Sequence, residues 1–158
     1  VVLLNLKDSE TKVTGLNNLQ EAKSIALAGG SVPVGKYTRQ ALVNMGILPQ
    51  AEDVSKITTQ EVSEALGGVE ISEQDNVSKV LTAVTEGACE VGTTYYSDTY
   101  GYEDKVKILE TVGYDLTGDV IYPICRVKNQ EVDKAQEEAA QEFLEYVVEN
   151  YYFDTNVE

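Results

Sequence analysis

The stretch from Ser24 to Tyr37, Ser-Ile-Ala-Leu-Ala-Gly-Gly-Ser-Val-Pro-Val-Gly-Lys-Tyr, constrains the fold of this chain more than any other. Ile25-Ala26-Leu27-Ala28 has the length and flanks of a buried strand. Gly29, Gly30 and Ser31 break it, and Pro33 suits a first helical position, where its missing N–H costs nothing. The first-turn amides of Val34 and Gly35 then lack intrahelical partners. A strand, a small-residue turn and an open helix N-terminus make a place for an anion, although most such corners hold only water.

The rest of the chain repeats this alternation. Val1–Lys7 reads as a strand, and Thr14 as the cap of a short helix from Gly15 to Ala22 that buries Leu16 and Leu19. The helix opened by Pro33 carries Tyr37, Ala41, Leu42 and Met45 at core spacing and stops at Gly46. Pro49–Asp53 reads as a loop. Thr58 and Glu61 have capping-box spacing ahead of a helix to Leu66, which Gly67-Gly68 ends. Val69–Ile71 is a short strand. Asp75 is expected to cap a helix with Val77, Val80, Leu81 and Val84 on one face, ended by Gly87. Strands follow at Cys89–Tyr95, at Val106–Leu109 and at Val120–Val127, the last interrupted by Pro123 and so placed at an edge or crossing. A final helix from Gln130 to Asn150 presents Val132, Ala135, Ala139, Phe143, Tyr146 and Val147. Strands alternating with helices predict an α/β domain with a mainly parallel sheet flanked by helices. Ligands of such sheets sit beyond the carboxyl ends of the strands.

Composition removes several alternatives. The net charge of −15 argues against a nucleic-acid partner, which would call for clustered Lys and Arg. Without histidine, no Ser-His-Asp or Cys-His arrangement can be built. Cys89 and Cys125, without close spacing, argue against a zinc site, and both read as buried free thiols, with a bridge between them as the alternative. No apolar run is long enough to span a bilayer, and no signal-peptide pattern opens the chain, which reads as mature or trimmed. An enzyme would have to use Asp98, Glu103 and Asp104, but an acidic turn of this kind is usually just solvated.

Three corners then fall on one sheet edge: the amides near Val34, those near Asn76 and Val77, and the Tyr95 hydroxyl. Neutral donors of this kind can hold a desolvated dianion without burying a cation. The bland readings stand beside this one, with Asp75 as a cap, Pro33 as a helix opener and Tyr95 as a half-buried tyrosine.

At these residues the chain resembles a known family. Val32-Pro33-Val34-Gly35-Lys36-Tyr37, with Ala41-Leu42 and Gly46, resembles the Val-Pro-Ala-Gly-x-Tyr segment of periplasmic molybdate-binding proteins. Asp75-Asn76-Val77 resembles their Asp-Val segment, and Gly92-Thr93-Thr94-Tyr95-Tyr96-Ser97-Asp98 their Gly-x-Val-Tyr-x-Ser-Asp. Tyr122-Pro123 matches the Tyr-Pro of their returning strand. The resemblance implies one lobe of a type II, two-lobed solute-binding protein that delivers molybdate or tungstate to the membrane subunits of an ABC transporter. It implies a periplasmic or extracellular location, with a lipoprotein anchor as one form. The oxyanion would be held by the amides of Val34 and Val77 and the Tyr95 hydroxyl, with Ser31 and Asn76 in support. No cofactor, metal or catalytic residue is implied. Residues 8–118 would form the second lobe, 1–7 and 119–127 the hinge-crossing strands, and 128–158 a C-terminal helix that rejoins a first lobe, most of which has no counterpart here. Such a piece is expected to leave the first strand and the Val132–Val147 stripe uncovered and to self-associate. The departures are Val34 for the family's alanine, Tyr96 for its frequent glycine, and a longer segment between Gln50 and Gln74. An effector-sensing domain of a transcription regulator, which shares this fold, is the alternative.

Overall fold

A computed structural model describes residues 1–120 and 124–150. It divides into two units, Val1–Val120 and Ile121–Glu158. The first is built on a five-stranded sheet of β1 (Val2–Leu6), β2 (Ser24–Ala28), β3 (Glu70–Gln74), β4 (Val91–Thr94) and β5 (Val106–Thr111), in the order β3-β2-β4-β1-β5. β2 is parallel to both β3 and β4, while β1 runs antiparallel between β4 and β5. Four strands therefore share one direction, and the expected mainly parallel α/β sheet is present with a single reversed strand.

Helices cover both faces of the sheet. On one side α1 (Pro33–Asn44) and α2 (Thr59–Ala65) bury Leu3, Ile25, Leu27, Leu42 and Val62. On the other α3 (Val77–Thr85) buries Val2, Leu4, Ala26, Ala28, Val80 and Val84. Alternate residues of β1 and β2 thus enter opposite cores, which is why both strands are continuous apolar runs. Each fully buried leucine contributes about 1.5–3 kcal/mol relative to exposure. α4 (Tyr114–Thr117) is a single turn that packs near α1, where Asn44 Nδ2 donates to the Leu116 carbonyl at 2.7 Å.

Several expectations require correction. The first strand is not uncovered: Val2, Leu3 and Leu4 are fully buried, because β1 has a neighbour on each side and a helical layer over each face. Thr14 does not cap the helix after it. That element is a 3-10 turn, Leu16–Glu21, whose entry is held by Asn18 Oδ1, which accepts from the amides of Thr14 and Gly15, and by Glu110 Oε2, which accepts from Leu16 at 2.6 Å. The cap of α3 is Asn76 rather than Asp75. Cys89 is a buried free thiol as expected, but Cys125 is exposed. The strand expected over Val120–Val127 has its centre, residues 121–123 with Tyr122 and Pro123, outside the described residues; Val120 and residues 124–127 form no strand.

The second unit is α5 (Lys134–Asn150), whose start is held by reciprocal hydrogen bonds between Asp133 and Gln136. None of its residues is buried, and Phe143, Tyr146 and Val148 are exposed. Of the two surfaces expected to lie open, this one does.

Candidate functional site

The first corner follows β2. The Gly29 amide extends the parallel ladder by donating to the Gln74 carbonyl at 2.9 Å, and Val32 closes the turn by donating to the Gly29 carbonyl at 2.9 Å. α1 then begins at Pro33 with Val32 as N-cap, a residue with no side-chain acceptor. Helix geometry leaves the amides of Val34 and Gly35 facing out of the first turn, and they make no hydrogen bond among the described residues. The Val34 side chain is fully buried against the α3-side core.

Two close approaches fix this corner. A Cβ on Gly35 would lie 2.3 Å from the carbonyl oxygens of both Ala28 and Gly29, so the first turn of α1 rests directly on the end of β2. A Cβ on Gly30 would lie 2.1 Å from the Ser55 carbonyl oxygen, so the segment between α1 and α2 presses on the turn. That segment is itself ordered by Asp53, whose carboxylate accepts from the Ser55 amide and hydroxyl.

Beneath the corner lies Arg39, fully buried. Its Nη1 donates to the carbonyls of Ala28 at 2.8 Å and Gly35 at 3.0 Å, its Nε to Ile57 at 2.7 Å, and its Nη2 to Thr59 Oγ1 at 3.2 Å. The Thr59 hydroxyl in turn donates to the Glu73 carboxylate. Burial pulls the guanidinium pKa down and Glu73 opposes that shift.

The second corner follows β3. Asn76 Oδ1 accepts from the Lys79 amide at 2.9 Å, and the Asp75 carboxylate pairs with the Lys79 ammonium, which holds the Asp75 carboxyl below its usual range. Val77 is half-buried at the first helical position. The third corner follows β4, where the Tyr95 amide donates to Asp98 Oδ2 at 3.0 Å and the Tyr95 ring packs against the α3-side core. α1 is tied to this strand by the buried hydroxyl pair Thr38–Thr93 at 2.9 Å.

The register brings the three corners together. Ala28 pairs with Gln74, and Ala26 pairs with Gly92, two residues before the end of β4. With strands about 4.8 Å apart, the outer corners lie about 10 Å from one another with the α1 corner between them. Val34, Val77 and Tyr95 therefore share one sheet edge. Ser31 and Asn76 are exposed at the same edge, and the Asn76 oxygen is already engaged as a cap. Three carboxylates also occur nearby, and each has a partner: Glu73 accepts from Thr59, Asp75 pairs with Lys79, and Asp98 caps Tyr95. Among the described residues no three His, Cys, Asp or Glu side chains gather as metal ligands. Sequence reasoning missed Arg39. Its signal was a cation four residues after Gly35 and three before Leu42, on the stripe that faces the core.

The chain is similar to known transport proteins. Residues 1–150 match the model of the family described as bacterial extracellular solute-binding protein. A relative from Bacillus subtilis (strain 168), "Putative ABC transporter substrate-binding lipoprotein YvgL", is 28% identical over 148 residues, which cover 93% of this chain and 49% of the relative. A solved structure, "substrate binding domain of putative molybdenum ABC transporter from Clostridium difficile", is similar with a TM-score of 0.56 and 28% identity, covering 74% of this chain and 44% of that one. The chain thus spans about half the length of these relatives. They are transport binding proteins, not enzymes, and the acidic turn at Asp98, Glu103 and Asp104 needs no catalytic reading. With the match extending over residues 1–150, this chain belongs to the bacterial extracellular solute-binding protein family.

Proposed function

We propose that the chain binds a tetrahedral oxyanion, molybdate or tungstate, as half of a binding site from which the ligand passes to the membrane subunits of an ABC transporter. The observation that carries this reading is the uncapped N-terminus of α1, seated between two further strand ends on one edge. Amides of Val34 and Val77 and the hydroxyl of Tyr95 are the donors, and Ser31 and Asn76 stand close enough in the chain to support them. Helix N-termini favour anions through their free N–H groups and dipoles. Such neutral donors hold a desolvated dianion without a lysine or arginine against it. In this reading residues 8–118 are the second lobe, 1–7 and 119–127 the hinge crossings, and 128–158 the return to a first lobe. The protein works outside the cytoplasm, in the periplasm or tethered as a lipoprotein. The exposed Phe143, Tyr146 and Val148 would drive this chain to self-associate when it is alone; a monomer at high concentration in light scattering would contradict that.

Calorimetric titration of the chain with molybdate and tungstate, with sulfate as control, tests the ligand. Heat from the larger anions but not from sulfate supports the reading. Heat from sulfate alone, or from none, removes it. Tyr95→Phe should weaken binding by about tenfold or more, the usual worth of a hydrogen bond to a charged group; unchanged affinity would take Tyr95 out of the site.

A further inference from the structure

We infer that Arg39 is the positioning residue and buried countercharge of the oxyanion corner, an inference that rests on the oxyanion reading above. The donors proposed for the ligand are backbone amides, so their aim depends on what holds the backbone. Arg39 holds it from below: one guanidinium nitrogen binds the last carbonyl of β2, at Ala28, and the carbonyl of Gly35 in the first turn of α1. Those two carbonyls flank the segment 29–34 that forms the corner. The other nitrogens reach Ile57 and Thr59, so the same side chain pins the segment between α1 and α2 to the corner it presses on.

The charge matters as well as the shape. A fully buried cation is costly unless paired and hydrogen-bonded. Arg39 makes four hydrogen bonds to neutral oxygens and no ion pair within 4 Å among the described residues; its link to Glu73 runs through the Thr59 hydroxyl. Its field is therefore only partly cancelled, and it adds to the positive end of the α1 dipole. An oxyanion bound at the amides completes the neutralisation without touching the guanidinium. Glu73, on the edge strand, competes with the ligand for that field.

Two variants separate the roles. Arg39→Lys keeps the charge and loses the planar fork that joins Ala28 to Gly35. It should weaken molybdate binding by about tenfold and speed hydrogen exchange at Val32 and Lys36, whose amides close the corner, more than at the β1 amides. Glu73→Gln keeps an acceptor for Thr59 and removes the competing charge, so it should tighten molybdate binding, by about two- to threefold at low salt for a solvent-exposed carboxylate. Glu73 also repels an oxyanion directly. The share of the gain that acts through Arg39 is therefore the part lost when Glu73→Gln is combined with Arg39→Gln; an undiminished gain there would leave Arg39 without the countercharge role. If the unsubstituted chain binds molybdate and neither variant changes affinity, the inference falls and the oxyanion reading survives. If the unsubstituted chain binds neither molybdate nor tungstate, the oxyanion reading falls and takes the inference with it.

Discussion

α1 and α3 begin at the same edge of the same sheet, yet their first turns are secured in opposite ways. α1 has no side-chain cap and is held from the interior, by glycine contact with the end of β2 and by a buried arginine. α3 is held locally and at the surface, by the Asn76 cap and the Asp75–Lys79 pair. Capping side chains satisfy first-turn amides, which is stabilising but leaves fewer of them to a ligand. Interior support leaves the amides of α1 open. Under the oxyanion reading proposed above, the difference makes α1 the principal donor and α3 the accessory one.

Gly35→Ala attacks the interior support and should have the largest effect. Its methyl group cannot fit against two carbonyl oxygens 2.3 Å away, so α1 must lift from the sheet. We expect a loss of about 3 kcal/mol or more in denaturant unfolding, at the upper end of overpacking costs, together with loss of molybdate binding. Stability within 0.5 kcal/mol of the parent, roughly the scatter of surface substitutions, would mean that the corner is far looser than its geometry.

Gly30→Ala should cost less, about 1–3 kcal/mol, because the Ser55 carbonyl that it meets belongs to a connecting segment that can yield. The same substitution should displace the 53–57 segment, which NMR shifts at Ser55 would report.

Asn76→Ala removes the local cap of α3 and should destabilise the fold by about 1 kcal/mol. It also frees the Lys79 amide, so binding should hold or improve. A large loss of affinity would promote α3 to an equal partner and end the asymmetry argued above.

Acid should give the smallest effect and touch the surface devices alone. The carboxyls of Asp53, Glu61 and Asp75 are held below their ordinary pKa values by Ser55, Thr58 and Lys79 respectively. A depressed folded pKa contributes stability above the unfolded value, near 4, and loses it as the pH falls through the folded value. Far-UV circular dichroism should therefore show a small helical loss below about pH 4 that Glu61→Gln partly removes, while the Arg39 network persists.

This contrast also explains what the amino-acid sequence disclosed. Pro33, Gly46, the Thr58–Glu61 box and the Val77–Val84 periodicity act within a turn or two of themselves, and each appears where its local chemistry puts it. Asp75 and Asn76 are neighbouring good caps; Asn76, with an extended backbone, holds the first turn of α3, and Asp75 pairs with Lys79 instead. Thr14 lost its capping role to Glu110, an acceptor on a strand far along the chain that no local rule could supply. Arg39 was hidden for the same reason, because its partners come from β2, α1, the connection to α2 and the first residue of α2. The reversed direction of β1 was equally invisible, since a strand buried on both faces reads alike in either direction.

That reversed strand has a kinetic meaning. Val2 pairs with Thr94 on one side and with Thr111 on the other, so the first residues of the chain wait for nearly the last ones of the sheet. β2, α1, α2 and β3 can dock locally, and α3 and β4 can follow, but β5 has no seat until β1 is in place. Pairings this distant in sequence slow folding, because loop closure must precede any reward from contact. During synthesis neither sheet neighbour of β1 exists until β4, which ends at residue 94, has emerged. Substitutions in β1 should consequently change the rate at which the sheet closes more than they change the local order of the corner after β2.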